Sequence, residues 1–406
     1  MRILLVNKFH WYKGGSETYY FELGNMLKSN GHEIAYFSMK NANNIKTGDI
    51  EFFVDEFDGN GKNIFKAFDT VYSKKNKEIM NYALETFKPD IVHVNLFQRH
   101  LTYSILEAVR EHDIPIVYTA HDLQAVCPAS TMLSDGKICK QCLNSNKFKC
   151  FKNKCIKNSR LKSLLSSIEA TEYKNKKIYN WFDLIISPSD YVGEMIKKEG
   201  INTKIETIYN FVDTEKFNND NNSDEGYAFF FGRLSVEKGI LNLINAFSRQ
   251  NNGYLYIAGE GPEKENILKY IKENNLEDRI KLLGFLSQSE VKKYISNCSF
   301  VVVPSIWYEN CPYSILESLA MGKPVIGSKI GGIPELIVDG VNGYLFDYND
   351  VDKLSSLISE LFVDSELRNR MGIKSREFSE SRYNMNNYYN NLMKKYVSLI
   401  KGEIKD

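Results

Sequence analysis

The chain has 406 residues, of which 43% are hydrophobic and 25% charged, and 52 basic against 51 acidic side chains leave a formal charge of +1. This length exceeds what one hydrophobic core supports, so we expect two domains of roughly 200 residues each. The balanced charge gives no electrostatic reason to expect a nucleic-acid partner. The sequence enters a strand-like run at Met1 without a signal peptide, and no apolar stretch approaches the ~18 residues that span a bilayer, so we expect a cytoplasmic protein.

Short apolar runs alternate with helix-like segments along the whole chain. This alternation predicts an α/β protein in which parallel sheets carry helices on both faces. The runs that we expect to form strands lie at 3–6, 33–37, 91–94, 116–118 and 184–187 in the first half, and at 227–231, 253–258, 280–283, 300–303, 324–327 and 343–346 in the second. Each half is therefore predicted to be one doubly wound, Rossmann-like domain.

A polar segment separates the two halves. Residues 218–225 contain too little apolar surface to pack into a core, so we place a linker within 210–226. We expect a first domain at 1–211 with a cysteine-rich basic insertion at about 127–177, a second domain at 212–384, and a last helix at 385–406. The apolar side chains of that helix recur at helical spacing: Met385, Tyr389, Leu392, Tyr396 and Leu399.

Two glutamates, Glu309 and Glu317, follow the apolar run 300–303 and stand eight positions apart. Pro312 between them suits the first position of a helix, which places Glu309 on a loop after a strand and Glu317 inside the helix. Ligands of doubly wound sheets bind at that edge, where a carboxylate can accept two hydrogen bonds from vicinal hydroxyls. The pair predicts a sugar-nucleotide site; the alternative is two solvated acids near a helix start.

Glycine loops follow several of the predicted strands. Gly14 and Gly15 precede a helix whose N-terminus offers free N–H groups to an anion such as a diphosphate. The alternative is a plain tight turn in which Ser16 caps the helix. The loops Gly259-Glu260-Gly261 and Gly331-Gly332 could approach a nucleoside or support the site, and a simple turn explains each of them equally well.

Two cations lie in the loop after the run 227–231. Arg233 follows Gly232, and Lys238 comes five residues later, next to Gly239. A guanidinium binds phosphate oxygens bidentately and an ammonium adds a point charge, so their expected ligand is a diphosphate. The alternative is a pair of solvated surface cations.

These motifs together resemble the retaining glycosyltransferases of family four, of the polysaccharide-biosynthesis type, which have the GT-B fold. The resemblance covers nearly the whole chain and implies two Rossmann-like domains facing a cleft, with the acceptor on the first domain and the donor nucleotide mainly on the second. The last helix would cross back to the first domain. The motifs, in chain order, are Gly14-Gly15, Thr119-Ala120-His121-Asp122, Ser187-Pro188-Ser189, Gly232-Arg233, Glu237-Lys238-Gly239, Gly259-Glu260-Gly261-Pro262, Glu309 with Glu317, and Gly331-Gly332-Ile333-Pro334-Glu335.

The resemblance also implies residue roles. Arg233 and Lys238 would hold the diphosphate, Glu317 the ribose, and Glu309 the transferred sugar, which His121 would contact across the cleft. Catalysis is expected from Arg233, Lys238, Glu309 and His121. The full set of expected donor-binding residues is Gly14, Gly15, Asn210, Gly232, Arg233, Lys238, Gly259, Glu260, Gly261, Glu309, Asn310, Cys311, Pro312, Tyr313, Ser314 and Glu317. At 211 the chain has Phe211 where the family usually has glycine, which leaves the shape of that loop open.

The chemistry implied is transfer of a hexose or N-acetylhexosamine from a nucleoside diphosphate sugar, UDP rather than GDP, to a glycan or a lipid-diphosphate-linked acceptor. Fixed cations would stabilise the departing diphosphate without a metal ion or other catalytic cofactor, since no Asp-x-Asp lies in a suitable loop. The leaving phosphate itself can take the acceptor proton in a retaining enzyme. His121 is therefore not required as a base and is equally consistent with a buried structural histidine. His93 lies inside an apolar strand and is interpreted as structural. The alternatives are a sugar-nucleotide epimerase of similar build and a non-catalytic nucleotide-sugar binder.

Four cysteines, Cys139, Cys142, Cys150 and Cys155, fall within seventeen residues, with Cys127 upstream. In a reducing compartment this spacing suits a structural zinc ion, and free thiols are the alternative. Similar cysteine-bearing insertions occur in some members of the family that the chain resembles.

Ten basic and two acidic residues occur between Lys147 and Lys177. Interleaved leucines at 161, 164 and 165 with Ile168 predict a basic amphipathic helix. The helix could meet an anionic lipid or a lipid-diphosphate acceptor, which would place the protein peripherally on the inner face of the cell membrane. Alternatively, the apolar stripe belongs to the core beneath a solvated basic face.

Overall fold

The computed structural model describes residues 1–56, 69–218 and 223–403. These residues form two compact units, one of Met1–Tyr209 with Tyr388–Asp406 and one of Asn210–Asn387. The chain thus passes between the units at 209/210 and 387/388, whereas the sequence placed the boundaries at 211/212 and 384/385. Of the predicted linker, residues 219–222 lie outside the described residues.

The first unit is built around a parallel sheet. The bounds of its strands are β1 (Arg2–Val6), β2 (Glu33–Met39), β3 (Ile50–Val54), β4 (Ile91–Val94), β5 (Ile116–Thr119), β8 (Leu184–Ser187) and β9 (Ile205–Thr207), and a separate antiparallel hairpin joins β6 (Leu133–Ser134) to β7 (Lys137–Ile138). Within the described residues the sheet order is β3-β2-β1-β4-β5-β8-β9. The strands β3 and β9 were not predicted, because each lies at or near a sheet edge and carries a glutamate, Glu51 or Glu206, inside a short run.

The second unit repeats this architecture. Its strands are β10 (Tyr227–Phe231), β11 (Tyr254–Ala258), β12 (Ile280–Gly284), β13 (Phe300–Val303), β14 (Val325–Ser328) and β15 (Gly343–Phe346). In the described part of the chain they pair in the order β12-β11-β10-β13-β14-β15, and all are parallel. All six match runs that the sequence predicted as strands.

Helices connect the strands of both sheets. Those of the first unit are α1 (Gly15–Ser29), α2 (Lys74–Phe87), α3 (Ser104–Glu111), α4 (Lys149–Lys152), α5 (Arg160–Asn175) and α6 (Asp190–Lys198). Those of the second are α7 (Ile240–Ser248), α8 (Lys264–Glu273), α9 (Gln288–Asn297), α10 (Tyr313–Ala320), α11 (Ile333–Leu336), α12 (Val351–Val363) and α13 (Ser365–Arg382). No helix of the described residues is long and apolar enough to cross a membrane.

The last helix, α14 (Met385–Ile400), packs on the first unit. Its buried face consists of Tyr388, Leu392, Tyr396 and Leu399. Two of the predicted face residues, Leu392 and Tyr396, are fully buried, whereas Met385 and Tyr389 are half-buried and Tyr388 takes the interior position. Apolar spacing therefore predicted the packed helix but not every residue of its buried face.

The strand order of each sheet reverses at one point. In the first sheet the reversal lies between β1 and β4, and in the second between β10 and β13. Loops leaving the carboxyl ends of two such strands diverge to opposite faces of the sheet and leave a crevice, which is the usual ligand site of doubly wound folds. The loop that carries Arg233 and Lys238 follows β10, and the loop that carries Glu309 follows β13. The topology therefore places both loops at the switch point of the second sheet.

Candidate functional site

Glycines allow three loops of the second unit to pack backbone against backbone. A Cβ atom at Gly259 would lie 1.8 Å from the Gly232 carbonyl oxygen, and one at Gly261 would lie 2.1 Å from the Leu234 carbonyl oxygen. The backbone N–H of Gly232 donates to the Ala258 carbonyl at 3.0 Å. Any larger residue at the two glycines would separate the loop after β11 from the loop after β10. The glycines of the Gly259-Glu260-Gly261 motif are thus required by loop packing.

The loop after β10 also contacts the loop after β13. Gly239 adopts a left-handed conformation with φ of +67°, and a Cβ atom there would lie 2.0 Å from the Pro304 carbonyl oxygen. The Ile306 N–H donates to the Glu237 carbonyl at 2.9 Å. This junction brings the cationic loop and the carboxylate loop together.

Lys238 and Glu309 form a direct ion pair. The Lys238 Nζ atom lies 2.6 Å from Glu309 Oε1, which also accepts a 2.6 Å hydrogen bond from the Ser305 hydroxyl. Burial alone would raise the pKa of the Glu309 carboxyl, but the Lys238 ammonium and the Ser305 hydroxyl outweigh burial and hold the pKa below its ordinary value. Glu309 is therefore ionised at neutral pH. It can accept hydrogen bonds from a sugar but cannot donate a proton.

Arg233 occupies a different environment in the same loop. Its side chain is exposed, and no ion pair to another described residue restrains it. Ser235, two residues on, is 4% exposed, and its hydroxyl has no hydrogen-bond partner among the described residues. Sequence reasoning missed Ser235, although a hydroxyl inside a glycine-rich cationic loop was a signal that it could bind phosphate.

Glu317 lies on α10 at the place that the sequence predicted, within its second turn, and is 8% exposed. The start of α10 differs from the prediction by one residue. Pro312 is the residue that precedes the helix, with ψ of 127°, instead of its first helical residue. The difference arises because Pro312 has an extended ψ, so helical geometry begins only at Tyr313. Residues 310–314 therefore form the loop and first turn that lead to Glu317.

Asn210 contacts this loop from the start of the second unit. Its Nδ2 atom donates to the Cys311 carbonyl at 3.2 Å, while its Oδ1 atom is buried without a partner among the described residues. Phe211, at the position where the sequence departs from the usual glycine, is 1% exposed and belongs to the core. Glu260 is instead exposed and pairs at 2.9 Å with Lys264, the first residue of α8.

In the first unit, Gly14 and Gly15 lead into α1 as predicted, but the helix start already holds a carboxylate. Glu17 is 2% exposed and accepts hydrogen bonds from Ser16 Oγ at 3.0 Å and Asn7 Nδ2 at 3.4 Å. Burial raises the pKa of Glu17. Ser16 thus bonds to Glu17, and Gly14 stands at the cap position without a side-chain bond. The interpretation of Ser16 as the helix cap is wrong.

His121 is held in one orientation. Its Nε2 atom lies 2.8 Å from Asn95 Oδ1, and Asn95 Nδ2 donates to the Val6 carbonyl, so Nε2 must be the donor and Nδ1 is left unprotonated in the neutral ring. Desolvation lowers the pKa of His121 to about 3. His93 is 0% exposed and uses both ring nitrogens, with Thr119 Oγ1 and with the Tyr396 hydroxyl of α14. His93 therefore has the structural environment that the sequence suggested.

A cluster of charged groups at the carboxyl edge of the first sheet was not anticipated. Lys8 interacts electrostatically with Asp122, Arg99, Glu17 and Glu169. Burial lowers the pKa of Lys8 and raises that of Asp122. Lys8, Arg99 and Asp122 each follow a predicted strand, which was the available signal, whereas Glu169 comes from α5 and only the fold brings it there.

Glu169 provides a test of this environment. Burial raises its pKa to about 7 from an ordinary value of 4.5, although Arg99 opposes the shift. Between these pH values the folded protein binds more protons than the unfolded chain, so the Glu169 contribution to stability falls as pH rises from 4.5 to 7. Glutamine does not titrate, so Glu169→Gln should lose no stability by this route. When the pH is raised from about 5 to about 8, we expect the free energy of unfolding of the variant to rise relative to that of the wild type by on the order of 1 to 3 kcal/mol.

Urea unfolding at both pH values measures this difference. Glu172→Gln, on the same helix and 35% exposed at its side chain, is the matched control and should show a much smaller change. Parallel stability curves for Glu169→Gln and the wild type would contradict the assigned environment.

The cysteines of the insertion are free thiols in the structure. Cys150 and Cys155 lie within hydrogen-bonding distance of each other, and their mutual interaction lowers the pKa of Cys155 and raises that of Cys150. No group of three or more histidine, cysteine, aspartate or glutamate side chains is arranged to hold a metal ion within the described ranges, which include all seven cysteines. Cys139, Cys142, Cys150 and Cys155 as placed do not fit a zinc ion. Structural zinc stays a prediction that metal analysis of the purified protein can test.

The insertion is not simply an exposed basic surface, because one of its lysines is buried and the buried face of its long helix is mostly polar. Lys147 is 3% exposed, and its ammonium donates to Glu199 at 2.8 Å and to the carbonyls of Val126 and Cys142. On α5 the buried face is formed by Ser163, Ser166, Ser167, Glu169 and Tyr173. Leu161 is 68% exposed, and Leu164, Leu165 and Ile168 are half-buried. The leucine stripe is therefore not the core face of the helix.

Comparison with known proteins is consistent with this architecture. The family model for Glycosyltransferase Family 4 matches residues 13–216, half of the chain, and the model for Glycosyl transferases group 1 matches residues 211–378. An uncharacterized glycosyltransferase of Methanocaldococcus jannaschii is 34% identical over 49% of this chain and 55% of its own length. A lipopolysaccharide core biosynthesis glycosyltransferase of Rhizobium meliloti is 26% identical over 48% of this chain and 58% of its own. The chain thus spans little more than half the length of these curated relatives.

Among solved structures, HepE of Anabaena in complex with UDP-glucose superposes with a TM-score of 0.71, over 98% of this chain and 100% of that one, at 18% identity. At this identity the likeness concerns the fold. It agrees with the predicted GT-B class, and parallel sheets flanked by helices occur in both units.

Proposed function

Because the chain belongs to glycosyltransferase family 4, we propose that it transfers a hexose or N-acetylhexosamine from a nucleoside diphosphate sugar to a glycan or lipid-linked glycan acceptor. Transfer retains the anomeric configuration and needs no metal ion. This proposal concerns the activity of the whole protein.

The observation that carries the proposal is the pairing of Lys238 with Glu309 at the switch point of the second sheet. A buried carboxylate kept ionised by an ammonium is a strong acceptor for sugar hydroxyls. The ammonium keeps further N–H donors for an anion, and exposed Arg233 adds a planar guanidinium from the same loop. One loop junction therefore offers adjacent groups for a sugar and for a diphosphate.

Departure of a nucleoside diphosphate places growing negative charge on its phosphate oxygens. Fixed positive groups stabilise this charge more in the transition state than in the bound donor, and such groups accelerate the step. Lys238 and Arg233 supply the charge, and the Ser235 hydroxyl can donate a further hydrogen bond. Glu317 on α10 is suited to the ribose hydroxyls, and Glu309 orients the transferred sugar.

No described residue near Glu309 is needed as a general base in this scheme. The leaving phosphate accepts the acceptor proton on the face from which it departs, and this gives retention. His121 remains neutral at physiological pH, and its unprotonated Nδ1 atom can accept a hydrogen bond from a sugar hydroxyl. UDP is the proposed nucleotide, in line with the UDP-glucose bound by HepE.

Product analysis with UDP-glucose and UDP-N-acetylglucosamine tests the proposal. Transfer releases free UDP together with a new glycoside, whose anomeric proton coupling in NMR spectra reports retention or inversion. An epimerase would change the sugar without releasing UDP, and a simple binder would leave the donor intact. Either result with every acceptor tested would exclude the transferase.

We also propose that the acceptor is presented at an anionic membrane surface. The supporting surface is the start of α5 with the segment before it, where exposed Leu161 is flanked by exposed Lys157, Arg160 and Lys162. An apolar side chain among cations suits an interface with anionic lipid headgroups. By contrast, Lys174 and Lys176 already pair with Glu199 and Glu172.

Charge reversal at this surface should reduce membrane binding. We expect Lys157→Glu with Lys162→Glu to lower the fraction that sediments with vesicles containing 30% phosphatidylserine several-fold, since each basic residue contributes about 1 kcal/mol near such a surface. Lys269→Glu with Lys272→Glu, which makes the same charge change beside the exposed Leu268 of α8, is the matched control. Equal sedimentation of both variants and the wild type would reject the membrane contact.

A further inference from the structure

The loop after β14 packs against the loop that carries Glu309. The two strands before these loops are neighbours in the second sheet, and Val303 of β13 pairs with Gly327 of β14, so both loops leave the carboxyl edge side by side. The loop after β14 contains the glycine pair Gly331-Gly332, which is not among the residues assigned above to the donor. Its contacts define a different task.

Gly331 touches the backbone of Glu309. It adopts a left-handed conformation with φ of +59°, and a Cβ atom there would lie 2.2 Å from the Glu309 carbonyl oxygen and 2.7 Å from the Glu309 backbone nitrogen. The N–H of Gly332 donates to the same carbonyl oxygen at 2.8 Å. The two glycines therefore fix the backbone position of Glu309 from one side.

Two serines extend this support to the Glu309 side chain. Ser328, the last residue of β14, donates from its hydroxyl to the Ser305 carbonyl at 2.6 Å. The Ser305 hydroxyl in turn donates to Glu309 Oε1 at 2.6 Å. Both serines are fully buried. Hydrogen bonds in such a place are costly to remove, because the group left unpaired is shielded from water.

The loop after β14 is itself anchored in the core of the second unit. Ile330 is 5% exposed, Ile333 is fully buried, and the Lys329 N–H donates to the Phe346 carbonyl of β15 at 2.7 Å. Closely packed interiors transmit a displacement instead of absorbing it. The loop is therefore a rigid support for the residues that it contacts.

Glu309 requires such a support because it orients a sugar. A group that fixes a reacting ligand must be held within about 0.5 Å and 10 to 20° of its productive position. The ion pair with Lys238 restrains the Oε1 atom of Glu309. The contacts from the loop after β14 restrain the backbone to which that side chain is attached, and the two sets of contacts are complementary.

We propose that Ser328, Gly331 and Gly332 are positioning residues for Glu309. Through them the loop after β14 controls the orientation of the donor sugar and has much less influence on the binding of the nucleotide. The inference rests on the proposed transferase function, in which Glu309 contacts the sugar whereas Lys238 and Arg233 contact the diphosphate.

Calorimetric titration with UDP-glucose and with UDP separates the two parts of the donor, because UDP lacks the sugar. We expect Ser328→Ala to weaken UDP-glucose binding several-fold and to lower kcat about tenfold, with little change in the Kd for UDP. Ser375→Ala is the matched control, since Ser375 is also fully buried and its hydroxyl donates to the Met371 carbonyl at 2.9 Å. This control should change neither Kd.

Gly331→Ala makes the same test with a larger displacement. The added Cβ atom must push the Glu309 backbone away, so we expect at least about a tenfold loss of UDP-glucose affinity relative to UDP affinity. Gly226→Ala controls for backbone strain, because Gly226 has φ of +73° and an added Cβ atom meets nothing within 4 Å. Thermal unfolding shows whether each variant is folded.

Glu309→Gln is the reference for these variants, since it alters the carboxylate directly. The positioning role is wrong if Glu309→Gln lowers the ratio of UDP-glucose affinity to UDP affinity and the folded Ser328 and Gly331 variants do not. Equal weakening of both ligands would also overturn it. An unchanged ratio in Glu309→Gln would remove the sugar role of Glu309 and this inference with it. A wild type that binds UDP-glucose through Glu309 but transfers no sugar would remove the transferase and leave the positioning role.

Discussion

Lys238→Ala should lower kcat about 10²- to 10³-fold, because it removes a fixed cation from the place where the diphosphate develops charge. The loss corresponds to roughly 3 to 4 kcal/mol of transition-state stabilisation. Steady-state kinetics with UDP-glucose measure it, and the affinity for the intact donor should fall by less than kcat.

The same substitution also leaves the Glu309 carboxylate buried without its ion-pair partner, which is itself destabilising by about 3 to 5 kcal/mol. The double variant Lys238→Ala with Glu309→Gln removes the unpaired carboxylate and should restore stability. Its turnover is compared with that of Glu309→Gln alone, because Glu309 also orients the sugar, and the difference between the two variants measures the cation. Lys374→Ala removes an exposed lysine paired with Glu377 and should change neither kcat nor the free energy of unfolding. Near-normal turnover in Lys238→Ala would exclude the diphosphate role.

Gly239→Ala should have the second large effect. The added Cβ atom would lie 2.0 Å from the Pro304 carbonyl oxygen, so the loop after β10 must move away from the loop that carries Glu309. We expect a loss of at least 3 kcal/mol in stability or, where the loops move apart instead, at least a tenfold loss of donor affinity. Thermal unfolding with and without UDP-glucose measures both, because at a fixed ligand concentration the stabilisation by a bound ligand grows with the logarithm of its affinity.

Gly340→Ala is the matched control for this substitution. Gly340 has φ of +75° against +67° at Gly239, but an added Cβ atom meets nothing within 4 Å. Both variants therefore carry the same left-handed strain, about 1 to 2 kcal/mol, and only Gly239→Ala adds the clash. Equal losses of stability and donor affinity in the two variants would show that backbone conformation alone accounts for the effect. The contact between the two loops would then contribute to neither property.

The glycine positions illustrate how much of the candidate site was predictable. Gly232, Gly239, Gly259 and Gly261 were recognised because glycine next to a strand end is a local signal that sequence preserves. The reason why glycine is needed at these positions is not local. Gly239, Gly259 and Gly261 each accommodate the backbone of another strand's loop, and the residue that would clash is up to 65 positions away in the chain.

Contacts between side chains that are distant in the sequence were the hardest feature to predict. Glu309 and Glu317 were grouped because they are near in sequence, whereas the structure joins Glu309 directly to Lys238, 71 positions earlier. The buried charges Lys8, Asp122 and Glu169 were not grouped at all. On α5 the alternative interpretation placed the leucine stripe in the core, but the fold buries serines, Glu169 and Tyr173 instead.

The sequence by itself determined the fold class, two doubly wound halves, the strands of the second sheet, and the loops that carry the cations and carboxylates. These follow from the spacing of apolar residues, from short apolar runs and from glycine positions, and each of these signals is contained within a few consecutive residues. Tertiary structure decided which groups meet: the Lys238 and Glu309 pair, the orientation of His121 by Asn95, and the packing of Gly331 on the backbone of Glu309. Those contacts depend on the order of the strands and on the rotation of each helix about its axis. Both are fixed by packing free energy summed over the whole core, so they cannot be predicted from a short segment of the sequence.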